Sequence, residues 1–255
     1  MFFSLPIIWM ISTAFKNQLD IFADPPVIFI KPKLINFEAV LADKQFLHAL
    51  KNSILVASGT VILTMIFAIP AAYGLARLTG MIKTGMLIWI LLVRAAPGMI
   101  YIIPYFVFYR IIGLIDSVYG LILINTIFTI PLVIWLLISF FEGMPISIEE
   151  SAMIEGANKW QILTKISIPI AAPGIVSCAI LTFIFSWNEF IFALILTNRH
   201  AKTAPIAIVN YMAYEGTEWG KVAAAGIFIL LPVLIFSILI RKYLIQSVVG
   251  SGVKE

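Results

Sequence analysis

Residues 149–170 read EESAMIEGANKWQILTKISIPI. From Glu149 to Lys165 they place three glutamates and two lysines in seventeen positions, in a chain that is 62% hydrophobic and 12% charged. Gly156 sits in the middle, Pro169 lies near the end, and long apolar runs flank both sides. A charged, broken segment between lipid-soluble runs is either a connector lying on the membrane surface or a docking element for a partner.

The surrounding chain is apolar enough to fix the class. It has 255 residues and a mean hydropathy of +1.05, well beyond a soluble domain. A spanning helix needs about 20 mostly apolar residues to cross a hydrocarbon layer of roughly 30 Å. Several runs meet that length, so the protein is an all-α integral membrane protein. The net charge of +4 comes from cations scattered over loops and helix ends, with no aromatic-studded basic patch. That suits anionic lipid headgroups better than nucleic acid. The single cysteine, Cys178, lies in an apolar run, reads as a small packing residue, and excludes a disulfide within the chain.

Residues 1–15, MFFSLPIIWMISTAF, are apolar but reach only about 22 Å as a helix. No basic n-region precedes them, so they read as a first span with a trimmed start rather than a signal peptide. Residues 16–47 hold Pro25, Pro26 and Pro32 and read as an extramembrane loop. Five further spans are expected at about 54–76, 86–109, 118–140, 171–196 and 222–244. Pro70, Pro97, Pro104, Pro131 and Pro232 fall inside them, which membrane helices tolerate when neighbours satisfy the freed carbonyls. Six spans put both termini on one side. Of the seventeen basic residues, seven fall on that side and nine on the other, with Arg94 inside a span. The positive-inside rule therefore assigns no orientation.

Within the opening stretch, Ser147 and Glu150 have the S-x-x-E spacing of a capping box, predicting a helix from about Ile148. Glu149 and Glu150 would lie near the positive end of its dipole. Met153, Ala157 and Trp160 follow at helical spacing as one apolar stripe, and Gly156 allows a sharp turn or close approach. A further helix would run to Pro169, where the membrane begins again. The spacing separates the two readings. Glu150-Ser151-Ala152, three residues, Gly156, nine residues, then Ile166-Ser167-Ile168-Pro169 resembles the EAA motif of ABC importer permeases, E-A-A, three, G, nine, I-x-L-P. Ser151 for alanine and Ile168 for leucine are the departures.

The resemblance extends along the chain, to the carbohydrate (maltose-transporter) branch of the binding-protein-dependent type I importers. It is carried by LPIIWMISTAFK, ADPP, NFEAVL, Asn52-Ser53, AAYGLARL at 71–78, IIPYFVFYRIIGLIDSVYGLIL, SWNEFIFALILT at 186–197, AKTAPIAI, WGKVAAAGI and SVVGSGVKE, in that order. It implies a type I permease fold of six transmembrane helices with a cytoplasmic coupling helix at about 146–169. The expected division is a first span and extracellular loop over 1–47, a transmembrane domain over 48–245 and a cytoplasmic tail over 246–255. Both termini would be cytoplasmic, in the plasma or inner membrane. Glu149, Glu150, Ser151, Ala152, Gly156, Ala157, Ile166 and Pro169 would engage an ATPase subunit dimer that uses ATP and Mg, this chain binding no cofactor itself. A second permease subunit, expected to be a paralogue, an extracellular solute-binding protein and a sugar complete the implied partners. A polyol or glycerol phosphate is the alternative solute.

Five polar residues inside spans are candidates for the solute path. Arg94 costs several kcal/mol unless paired or hydrated; it either lines the path or serves carbonyls freed near Pro97. Trp187, Asn188 and Glu189 place an aromatic beside hydrogen-bonding groups, which suits a sugar, but also suits a membrane interface. Asn125 lines the path or bonds between helices. Straight spans put Arg94 and Glu189 roughly 10 Å apart in depth, a poor match for an ion pair. His48 and His200 are far apart in sequence, with no acidic or histidine cluster beside either, and read as water-facing rather than as metal ligands.

Enzyme readings lack their motifs. H-E-x-x-H, G-x-S-x-G and an aspartate-rich diphosphate site are absent, and so is a phosphate-binding loop. Gly216 to Lys221 has one residue too few between its glycines, and Val222 stands where Ser or Thr belongs. ATP would be hydrolysed by another subunit. A small secondary carrier would leave the 149–170 stretch without a purpose.

Overall fold

The structure is a computed structural model and describes residues 4–25, 27, 32–95, 97–213 and 216–251. Pro26, Lys31 and residues 252–255 of the expected tail lie outside the described residues. Thirteen α-helices follow in order among those described. They are α1 (Leu5–Ala14), α2 (Gln18–Ile21), α3 (Ile35–Ala42), α4 (Lys44–Ala76), α5 (Gly80–Ala95), α6 (Ile102–Ile111), α7 (Val118–Glu142), α8 (Ile146–Ile154), α9 (Lys159–Ile162), α10 (Ile168–Trp187), α11 (Ile191–Leu196), α12 (Ala204–Ala207) and α13 (Trp219–Ser251). A two-residue hairpin, β1 (Met212–Ala213) with β2 (Gly216–Thr217), precedes α13.

Four of these helical runs are long and apolar enough to cross a membrane: Lys44–Ala76, Val118–Glu142, Lys159–Trp187 and Trp219–Ile240. A fifth crossing is counted if α5 and the Gly98–Ile111 run are taken together, bent by 80°. The α1 helix has only 10 residues. Length and composition thus give four or five crossings among the described residues, against the six expected.

The boundaries move for identifiable reasons. Pro97 has no N–H to continue a helical ladder, and its ring crowds the carbonyl four residues back, so the span expected at 86–109 is a bent pair. Pro104 sits in the first turn of α6, where a missing N–H costs nothing. The span expected at 171–196 starts earlier, runs to Trp187, breaks at Asn188–Phe190 and resumes as α11. The loop expected at 16–47 carries α2 and α3, and α4 begins at Lys44, capped by the Asp43 carboxylate on the amides of Gln45 and Phe46. The α13 helix continues to Ser251, so residues 246–251 of the expected tail are helical.

The core forms where α4 lies against α7 and α10. One face of α4 is a stripe of small residues, Ala57, Thr60, Thr64, Ala68 and Ala72, all fully buried. Small side chains let membrane helices approach closely enough for dispersion and interhelical hydrogen bonds. The hydroxyls of Thr64 and Thr129 share such a bond at 2.8 Å. At Gly174 an added Cβ would fall 2.5 Å from the Phe140 ring, so α10 reaches α7 only with glycine there. The opposite faces, with Ile62, Ile66 and Phe67 on α4 and Ile235 and Ile238 on α13, are exposed, as lipid contact requires.

Candidate functional site

At the C-terminal end of α4, the segment 145–169 folds as a hook. Pro145, φ −58°, occupies the position before α8, and its fixed backbone starts the helix at Ile146. The expected capping box at Ser147 and Glu150 does not form. Ser147 is already helical, and its carbonyl accepts a bond from the Ser151 hydroxyl at 2.9 Å. A capping box does form further on, between Asn158 and Gln161, opening α9. Between the two, Gly156 takes φ +88°. The amide of Gly156 donates to Met153 O and that of Ala157 to Ala152 O, at 3.0 and 2.9 Å. This is the glycine-terminated Schellman ending, which closes the carbonyls of the last turn.

The turn at Gly156 also divides the expected apolar stripe. Met153 belongs to α8 and Trp160 to α9, so the three residues do not share one helix face. Ile154 is 89% exposed and Trp160 66%. Pro169 does not end a helix either. A π turn, residues 163–167, joins α9 to α10, and the Ile168 amide reaches back five residues to Leu163 O. The wider turn accommodates the carbonyl of Lys165, which Pro169 would crowd in a regular helix.

Glu149 points the other way. Its side chain is 3% exposed. Arg77 Nη2 donates to Oε1 at 2.7 Å and Arg77 Nε to Oε2 at 2.9 Å, a two-pronged ion pair. Ser167 Oγ donates to Oε1 and Tyr73 OH to Oε2, each at 3.1 Å. Arg77 Nη1 donates to Phe141 O at 3.0 Å. Burial alone would raise the Glu149 carboxyl, but the Arg77 guanidinium, with Ser167 and Tyr73, holds it below the usual carboxylate range. The carboxylate thus ties α8 to the end of α4 and to the π turn, and Arg77 carries the link on to the end of α7. Nearby, Lys83 pairs with Glu142.

The eight residues expected to engage a partner therefore divide. Glu150, Ser151, Gly156 and Pro169 are exposed, Ala152, Ala157 and Ile166 are half-buried, and Glu149 faces the bundle. Arg77, Tyr73 and Ser167 were not anticipated. The available signal was AAYGLARL, where Tyr73 and Arg77 stand four apart at the end of an apolar run.

Midway along the bundle, a cavity of 310 Å³ is lined by Arg94, Asn125, Phe128, Phe185, Ser186 and Glu189, among others. The bend at Pro97 and the break after Trp187 bring Arg94 and Glu189 to the same cavity, which straight spans would not. No ion pair joins them among the described residues. Arg94 instead stands 5.9 Å over the Phe185 ring. The Glu189 carboxylate accepts from the amides of Phe192 and Ala193 at 2.7 and 3.0 Å, capping α11. Asn125 Nδ2 donates to Ser186 Oγ at 3.0 Å, and Ser186 Oγ to Thr60 Oγ1 at 3.2 Å. Asn125 thus both bonds between helices and faces the cavity. Trp187 does not line it: the side chain is 1% exposed, stacked on Phe183, with its indole N–H donated to Ile229 O. One residue along a helix turns the side chain by about 100°, so Ser186 faces the cavity and Trp187 faces α13. Asn188 is exposed and donates to Ile184 O at the end of α10, outside the cavity wall.

At the opposite end of α4, the segment after α11 is held from below. Asp116, φ +56°, accepts from the amides of Asn198, Arg199, His200 and Ala201. Burial opposes ionisation there, yet these amides bring the carboxyl down to about 2. Asn52 Nδ2 donates to His200 O and Lys202 O, and Ser53 Oγ accepts from the Ala204 amide. His48, remote from His200 in sequence, places Nε2 3.0 Å from the His200 carbonyl.

Residues 65–249 match the family described as binding-protein-dependent transport system inner membrane component. A probable ABC transporter permease of Sinorhizobium fredii is 34% identical over 98% of this chain and 90% of its own. The trehalose transport system permease SugB of Mycobacterium tuberculosis is 34% identical over 98% and 92%. A bacterial ABC transporter involved in the import of the acidic polysaccharide alginate has a crystal structure that superposes with a TM-score of 0.78 at 26% identity, covering 94% of this chain and 90% of that one. The chain accordingly belongs to the family of binding-protein-dependent inner membrane components, as the permease of an ABC importer.

Proposed function

We propose that the chain forms half of the translocation path of a sugar importer and is driven by a separate ATPase that grips the 146–169 hook. The observation that carries this is the two-sidedness of the hook. Glu150, Ser151 and Ile154 on α8 and Trp160 on α9 are exposed, while Glu149 is bolted to the spans through Arg77. A docked partner that moves the outer face moves the ends of α4, α7 and α10 with it, as a rigid-body switch requires. ATP and Mg belong to that partner.

On this reading the hook is cytoplasmic and both termini lie on its side. The chain makes six crossings with α1 counted as the first, residues 48–245 form the transmembrane domain, and a paralogous permease supplies the other half of the path. The sugar assignment is supported by the trehalose and alginate transporters among its relatives. The cavity holding Arg94, Asn125 and Glu189 is the candidate solute path. The test is to purify the intact complex with its solute-binding protein and identify the bound solute by mass spectrometry. A saccharide, together with a co-purifying ATPase, is expected. A non-carbohydrate solute overturns the sugar assignment; a complex without an ATPase overturns the whole reading.

A further inference from the structure

A cavity of 620 Å³ opens at the end of the bundle remote from the hook, lined by Lys44, His48, Asn198, Arg199, His200 and Lys202, among others. At 1.5 Å per residue, His48 lies roughly 45 Å along α4 from Arg77. Among the described residues no carboxylate lines the cavity. Two carboxylates bonded to the cavity's own segments are engaged: Asp116 by the backbone amides of 198–201, and Asp43 by the amides of Gln45 and Phe46 and by the Tyr211 hydroxyl. Among the described residues none of Lys44, Arg199 and Lys202 takes part in an ion pair. Two lysines, an arginine and two imidazoles therefore share one concave surface.

The floor under these cations is fixed. Asp116 holds the amides of 198–201, and Asn52 holds the carbonyls of His200 and Lys202. A fixed backbone presenting cations without counter-ions is preorganised for an anion. Lys44, Arg199 and His200 are exposed rather than sunk around a small buried site. Such charges act mainly by steering a protein surface into register.

We infer that this cavity seats an acidic side chain, aspartate or glutamate, presented by the solute-binding protein. The inference rests on the importer reading above and adds the chemistry of the contact.

The experiment uses the complete transporter in phosphatidylcholine nanodiscs, so that no anionic headgroup competes, with its solute-loaded binding protein. A carbodiimide activates a carboxylate, which an adjacent lysine amine attacks to give an amide, releasing the urea. Peptide mapping should find Lys44 or Lys202 joined to an aspartate or glutamate of the binding protein. Lys44→Gln with Lys202→Gln should remove that cross-link. The same pair should raise the half-saturating concentration of binding protein for ATPase stimulation at least tenfold, a typical steering effect, and leave the basal ATPase rate unchanged. Cross-links from the binding protein only to other permease lysines overturn the inference and leave the importer reading standing. Amides from Lys44 or Lys202 to the second permease also overturn it, since the cavity is then a subunit interface. A binding protein that neither cross-links nor stimulates ATP hydrolysis overturns the importer reading itself.

Discussion

Arg77 and Glu149, 72 positions apart, meet in a two-pronged ion pair at 2.7 and 2.9 Å. Bidentate guanidinium–carboxylate pairs fix orientation as well as distance. Glu149 is the buried residue of α8, so the pair fixes the rotation of α8 as well as its position against α4. Glu149→Gln keeps the shape and removes the charge. It should cost on the order of 1.5–3 kcal/mol, the worth of hydrogen bonds to a charged group, read as a lowered melting temperature in detergent. ATP hydrolysis by the assembled complex should persist while solute uptake falls, because the drive no longer reaches α4. If uptake and hydrolysis fall in proportion, the pair is a stability feature rather than a mechanical link.

The same pair gives a pH dependence. The Glu149 carboxyl is held below its ordinary range by Arg77. Its contribution is therefore fully present above the unfolded pKa of about 4.3 and lost as pH falls through the lower, folded value. Asp116 behaves likewise at the other end, with a folded value of about 2. Acid unfolding should therefore begin below about pH 4, and Glu149→Gln should weaken this dependence. An unchanged acid transition in that variant would remove Glu149 from the account.

The mid-bundle cavity separates two classes of substitution. Trp187→Ala deletes a fully buried side chain and should cost about 3–5 kcal/mol, so the variant should accumulate poorly in the membrane. Arg94→Gln removes a charge that no described residue pairs, and should leave accumulation near normal while uptake drops several-fold. Transport by Arg94→Gln at the normal rate would take Arg94 out of the solute path.

Sequence reading captured these features unequally. The membrane class and the Gly156 turn were legible because hydropathy and a glycine at a break are local signals. The Arg94–Glu189 proximity was not, because depth was reckoned along straight helices, and Pro97 and the Asn188–Phe190 break bend both. Trp187 falls outside the cavity because aromatic and polar neighbours in sequence face different sides of a helix. The Ser147 capping box failed because Pro145 starts the helix two residues before Ile148. Glu149 looked like one more dipole-stabilising acid, since its partner lies on another helix and no spacing reveals it.

Topology can be tested with the chain's own chemistry. Cys178 is 1% exposed and should stay silent to a membrane-impermeant maleimide. Asn210→Cys, at an exposed position near the basic cavity, should label on intact cells. Gln161→Cys, in the exposed part of the hook, should label only in inverted vesicles. The reverse pattern would overturn the cytoplasmic placement of the hook.

The sharpest test of the hook compares two positions five residues apart. Ser151 is exposed, and its hydroxyl only bonds back to the Ser147 carbonyl within α8. Ser151→Ala loses little and gains helix propensity, so it should shift stability by less than about 0.5 kcal/mol and leave ATPase association intact. Gly156 has φ +88°, where an L side chain costs about 1–2 kcal/mol. An added Cβ meets nothing among the described residues within 4 Å, so backbone strain is the main intramolecular penalty. Gly156→Ala samples that strain with minimal bulk; Gly156→Leu adds bulk that only a docked partner would feel. Both variants should reach the membrane in similar amount. Gly156→Ala should keep most of the ATPase on co-purification, and Gly156→Leu should release it. Equal retention of the ATPase by all three variants, with normal uptake, would show that the Gly156 turn lies outside the docking surface, and the drive would have to enter elsewhere.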